Sequence, residues 1–156
     1  MKRFIGAMAL ITVCALLFCA CGSTAKPLSE IFSGIKTTYH VTDLVEFSDA
    51  SDLNRFYGIK AEDVKEFAGG INNSGVDMEE IVMVLATDDD AAKRIATSLN
   101  NRRDSKLNET KNYNPEQYAI VEKSSVGTDG KYVSLFISRN STEMETAFKK
   151  GIGLAS

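Results

Sequence analysis

Ile81-Val82-Met83-Val84-Leu85-Ala86 places six apolar residues in a row, and Thr87-Asp88-Asp89-Asp90 follows at once. A short run that is apolar on both alternating faces argues for a strand at the centre of a sheet. The polar quartet behind it reads as a helix start, with anionic residues at the positive end of the helix dipole. Ala91, Ala92, Ile95, Ala96 and Leu99 then supply that helix with a buried face.

Upstream, residues 64–71 read as a second strand, in which Gly69 and Gly70 are either a weakness or a bulge, and residues 72–77 carry turn chemistry. Downstream, residues 100–112 are almost wholly polar, so the helix either continues as a solvated rod or gives way to loop, and Pro115 stops it. Residues 118–123 and 131–138 read as two further strands, joined through Asp129-Gly130, a hairpin signal. Asn140 followed by Glu143 is an N-terminal capping pattern for a last helix with Met144, Ala147 and Phe148 on its face, ended by Gly151.

Displacing residues 66–96 by 52 positions lays them on 118–148 with the same order of strand, turn, strand and helix. Gly75 falls on Gly127, Asp77 on Asp129, Asp88 on Asn140, and Ile81, Met83 and Leu85 on Val133, Leu135 and Ile137. The expectation is an α+β domain: a four-stranded antiparallel sheet built from two strand-strand-helix units, both helices on a single face. Short N-terminal helices would cover an edge or the other face. Leu28, Ile31, Phe32 and Ile35 mark one from Pro27 to about residue 38. Leu53, Phe56 and Tyr57 mark another, capped by Ser51 or Asp52 and closed by Gly58 in the left-handed region. Between them Leu44, Val45 and Phe47 are an extended piece or a helical turn.

The chain opens on an export signal. Lys2 and Arg3 precede an uncharged apolar run, residues 4–20, which breaks into Cys21-Gly22-Ser23-Thr24. The end of this run resembles the bacterial lipobox, with small Ala20 before Cys21 and Phe18 where Leu is usual. That resemblance implies removal of residues 1–20 and a diacylglyceryl thioether with palmitate-type chains on Cys21. Residues 21–26 would then be a lipidated linker and 27–156 a single domain. An uncleaved transmembrane anchor and ordinary secretion with cleavage after Ala25 are the rival readings, and all three put the domain outside the cytoplasm. Two acyl chains hold stably where one does not.

Without residues 1–20 the chain has 136 residues, with 16 basic and 21 acidic side chains and a net charge of −5. Such an acidic domain is a poor partner for nucleic acid. All three cysteines lie at or before position 21, which excludes disulfides, Cys-ligated zinc and a cysteine nucleophile from the domain. His40 is the one histidine, so no multi-histidine metal site can be built. No cofactor is implied.

Asp88, Asp89 and Asp90 are candidates for a divalent cation, set against the plainer role of a helix N-terminus. His40 with a Ser and an Asp is a conceivable hydrolytic set, but no Gly-x-Ser-x-Gly elbow accompanies it. The carboxylate pairs Glu62 and Asp63, Glu79 and Glu80, and Glu143 and Glu145 all sit at element starts. Arg102, Arg103 and Lys106 form a basic patch, set between the plainer role of a solvated helix face and contact with an anionic lipid surface or wall polymer.

Tyr57-Gly58-Ile59, Asp63-Val64, Glu80-Ile81, Arg102-Arg103, residues 113–115 and Gly130-Lys131-Tyr132 together resemble a family of small lipoproteins of Gram-positive, clostridia-like bacteria that carries a domain of unknown function. The resemblance spans residues 53–148 and implies an extracytoplasmic lipoprotein with no assigned reaction. The expected role is a non-enzymatic binding or accessory module on the outer face of the cytoplasmic membrane, anchored through Cys21 and meeting an envelope protein or wall polymer. The alternative is a small exported hydrolase acting on wall or peptide material.

Overall fold

The computed structural model describes residues 25–154. The export signal, Cys21 and most of the linker lie outside the described residues. In chain order the elements are helix α1 (Leu28–Tyr39), strand β1 (Leu44–Glu46), helix α2 (Ala50–Tyr57), strands β2 (Val64–Asn72) and β3 (Glu80–Ala86), helices α3 (Asp89–Thr110) and α4 (Pro115–Lys123), strands β4 (Val126–Asp129) and β5 (Tyr132–Ile137), and helix α5 (Ser141–Gly151). A 3-10 turn, Ala61–Asp63, precedes β2.

All five strands join one antiparallel sheet in the order β1-β2-β3-β5-β4, so the run that opened the sequence reading is the middle strand. Two corrections to the expected four-stranded sheet follow. Leu44–Glu46 is a strand, paired with the far end of β2 through Val45 and Ile71. Residues 118–123, expected as a strand, belong to α4. Asn114 caps that helix by accepting the Gln117 N–H at 3.2 Å, and Pro115 takes a first-turn position where its missing N–H costs nothing. A short apolar run fits either element, and here the cap decides. The hairpin signal sits in the right place, with Asp129 and Tyr132 as the last pair before the turn.

The two helices expected to share a face, α3 and α5, lie on opposite faces of the sheet. Val82, Val84 and Ala86 of β3, with Val133, Leu135 and Ile137 of β5, meet Leu53 and Tyr57 of α2, Ile95 and Leu99 of α3, and Val121 of α4. On the opposite face Ile81, Met83 and Phe136 meet Leu28, Ile31, Phe32 and Ile35 of α1, and Met144 and Phe148 of α5. The 52-residue repeat therefore fails in three dimensions. It equates Ile81 and Met83 with Val133 and Leu135, yet in the antiparallel register Met83 lies across from Ser134 and Val84 from Val133. Side chains alternate along a strand, so the equated residues face opposite layers.

Gly69 and Gly70 are not a bulge; the irregularity in β2 falls between Val64 and Glu66. Their role is close approach. A Cβ on Gly69 would overlap the Ile81 carbonyl oxygen, and one on Gly70 would come within 2.7 Å of the Val45 carbonyl oxygen. At the far edge of the domain the Lys26 N–H donates to the Gly151 carbonyl at 2.9 Å, which fastens the entry of α1 to the end of α5. No helix among the described residues is long and apolar enough to cross a membrane.

Candidate functional site

Period-two alternation splits the neighbouring carboxylates Glu79 and Glu80 across the sheet. Glu80 begins β3 on the α3 side and is fully buried. Arg102 donates to it through Nη2 at 2.5 Å and through Nε at 3.2 and 3.3 Å to the two oxygens. Lys106 Nζ lies 3.0 Å from Glu80 Oε1 and also contacts Met78 Sδ at 3.4 Å. The Tyr57 hydroxyl donates to the other oxygen at 3.4 Å, with the Arg102 guanidinium 5.8 Å from its ring centre. Burial, reinforced by the Glu80 charge, pushes the Tyr57 hydroxyl well above its ordinary pKa of 10.0, so it stays a donor. One carboxylate thus meets two cations inside the protein, and every charged partner faces inward.

This arrangement corrects the reading of Arg102, Arg103 and Lys106 as a surface patch. The Lys106 side chain is 5% exposed and bound to Glu80, and Arg102 is bound there too. Arg103 donates to the Ser124 and Glu122 carbonyls at 2.7 and 3.0 Å, closing the end of α4. Residues 100–110 are helix, and their cations hold that helix to the sheet. Asp88, Asp89 and Asp90 form the α3 N-terminus: Asp88 accepts the Ala91 N–H at 2.7 Å and Asp90 pairs with Lys93 at 2.8 Å. Among the described residues no group of three His, Cys, Asp or Glu side chains is placed to hold a metal ion.

Glu79 turns the other way, into a cleft of about 160 Å³ on the α1 and α5 side of the sheet. Tyr39, His40 and Val41 line it from the end of α1, Asp77 from the loop before β3, and Ser138 to Asn140 from the link between β5 and α5. The Ser138 hydroxyl donates to Glu79 Oε1 at 2.7 Å. His40 holds a left-handed backbone, φ 55°, as the cap of α1, and no hydrogen bond joins it to Ser138 or Glu79. Arg139 is committed to Glu116 in a salt bridge and separates this cleft from a neighbouring one of about 260 Å³ over Ala119 and Lys123. The sequence offers His40 as a triad candidate with an unspecified Ser and Asp, and Glu79 as one of a pair with Glu80; Ser138 and Arg139 had no signal, because only strand pairing brings residues 79 and 138 together.

Burial raises the Glu79 pKa above its ordinary 4.5; Ser138 and Arg139 act against this, while the charges of Asp77 and Asp43 add to it. His40, after α1, also faces the cleft. The folded state therefore binds the Glu79 proton more tightly than the unfolded chain does. Its ionised form costs stability above the folded pKa, and the cost disappears as pH falls below 4.5. Glu79→Gln, which keeps an acceptor for Ser138, is expected to raise the melting temperature at neutral pH by the equivalent of less than about 1 kcal/mol after solvent screening. Melting curves from neutral pH to about pH 4 check this, with the gain narrowing on acidification. A constant gain, or a loss, would contradict the assignment.

A family model described as a domain of unknown function (DUF4358) matches residues 37–138. The chain belongs to that family. The DUF4358 region starts earlier and ends earlier than the resemblance read from the sequence, taking in β1 and leaving out α5. It contains both carboxylate sites, His40 and Ser138. No curated protein and no solved structure matches the chain.

Proposed function

We propose that this DUF4358 protein is a lipid-anchored, extracytoplasmic binding or accessory module, held on the outer face of the cytoplasmic membrane through Cys21 and engaging an envelope protein or wall polymer through the Glu79 cleft. The geometry of the two ends of α1 carries the reading. The chain enters at Lys26, beside Gly151, while the cleft opens beyond His40 at the other end of a helix of 12 residues, about 18 Å away. The five residues between Cys21 and Pro27 reach at most about 18 Å. A tether at Cys21 keeps the Lys26 end near the bilayer and turns the cleft outward.

The hydrolase alternative draws on the meeting of His40, Ser138 and Glu79 in one cleft. Its hydrogen bonds do not form the Ser-His-carboxylate order that chemistry uses: the Ser138 hydroxyl is tied directly to the Glu79 carboxylate, and no hydrogen bond links it to the His40 imidazole. A glycosidase pairing of Glu79 with Glu80 is also disfavoured, because the two face opposite layers.

Metabolic labelling with a fatty-acid analogue, combined with photo-crosslinking in native membranes from a probe at Asp77, tests the proposal. Label is expected on the wild type and not on Cys21→Ser, with crosslinks to an envelope component. Label surviving the substitution, or unlabelled protein in the cytosol, would overturn it.

A further inference from the structure

We propose that the cleft beyond α1 receives a primary ammonium group on a short aliphatic stem, and that Glu79 is the acceptor; this rests on the cleft being the binding site of the preceding reading. Glu79 has one oxygen satisfied by Ser138, and among the described residues no donor reaches the other. Asp77 lines the same wall. Asp43 is near enough for its charge to be felt at Glu79. Arg139, the full cation in the wall, makes its salt bridge with Glu116 rather than with Glu79, and its charge, still felt at Glu79 and Asp77, faces three carboxylates there. The negative end of the α1 dipole arrives at His40, which adds to the attraction for a cation. The carboxylates are not grouped closely enough to chelate a metal ion, so an organic cation that needs one charge-assisted hydrogen bond fits better. Val41 and Ile120 supply apolar wall for the stem.

The ammonium could be that of an amino-acid side chain or of an ethanolamine headgroup. Outward orientation of the cleft selects the first. A headgroup of the protein's own bilayer would lie at the opposite end of α1.

The test uses the full chain in detergent micelles, titrated with n-butylammonium and, in parallel, with n-butyrate and O-phosphoethanolamine, following the backbone amide resonances of Glu79 and Ser138. Saturable shifts with n-butylammonium are expected, weakened about tenfold or more in Glu79→Gln, as for loss of one charge-assisted hydrogen bond. The melting curve of that variant reports that it is folded. Absence of saturable shifts, or equal affinity in Glu79→Gln, would overturn the proposal. Saturable binding of n-butyrate at the same residues would also overturn it while leaving the cleft as a binding site. Tighter binding of O-phosphoethanolamine than of n-butylammonium would overturn the amino-acid source.

Discussion

Glu80→Gln is expected to lower the free energy of unfolding by about 3–5 kcal/mol, the range for removing one partner from a buried ionic group. The cause is the cations left behind. Arg102 and Lys106 reach Glu80 from consecutive turns of α3, and Lys106, almost wholly enclosed, has only Met78 sulfur as a further partner. Losing the carboxylate strands two charges, whereas Lys106→Met strands none, since Arg102 remains to neutralise Glu80. The smaller change should therefore come from the lysine. Replacing all three by Met should recover much of the loss, because a well-packed apolar group substitutes for a buried ionic one at little net cost. Urea unfolding of the four proteins measures the series. A Glu80→Gln loss below about 1 kcal/mol would show that the cluster does not hold α3 to the sheet.

Gly69→Ala should be at least as damaging, at about 4 kcal/mol or more, a size reached only through mechanisms such as strain at a special backbone conformation. Gly69 has φ 154°, which L residues rarely adopt, and its α-carbon faces the Ile81 carbonyl of the neighbouring strand with the Phe47 ring 3.0 Å from where a Cβ would sit. Neither neighbour can retreat: one is backbone of the central strand, and the other packs edge-on against Tyr57 at 5.9 Å. Gly34 supplies the control. It lies within α1 with nothing near its missing Cβ, so Gly34→Ala should stabilise by about 0.5–1 kcal/mol through helix propensity and a less free unfolded chain. Equal melting temperatures for the two alanine variants would contradict the close-packing account.

Much of the fold was legible where a local signal and a tertiary need coincide. The β3 run, the Asp88 cap, the left-handed Gly58 and the face of α1 all follow from short-range pattern. Residues 118–123 misled because Tyr118, Ile120 and Glu122 alternate as in a strand while Gln117 and Val121 also meet helical spacing; the Asn114-Pro115 start broke the tie. The polar half of α3 hid its meaning through charge. Ile95, Leu99, Arg102, Lys106 and Thr110 continue one helical stripe at spacings of three and four, but Arg and Lys on a stripe read as solvent-facing. Counting by twos from Val84 back to Glu80 puts that carboxylate among buried residues, and it is the missing half of the same observation. The Glu79 cleft had no comparable trace, since its walls come from four separate stretches, residues 39–41, 77–79, 120 and 138–140, that meet only in the folded chain.

The fastening of Lys26 to Gly151 brings the first and last described turns of the domain side by side. Under the proposed anchoring through Cys21, a fluorescent or affinity label placed after α5 is expected on the bilayer side of the domain, away from the Glu79 mouth. Energy transfer from such a label to a dye in the lipid reads out which way the domain stands.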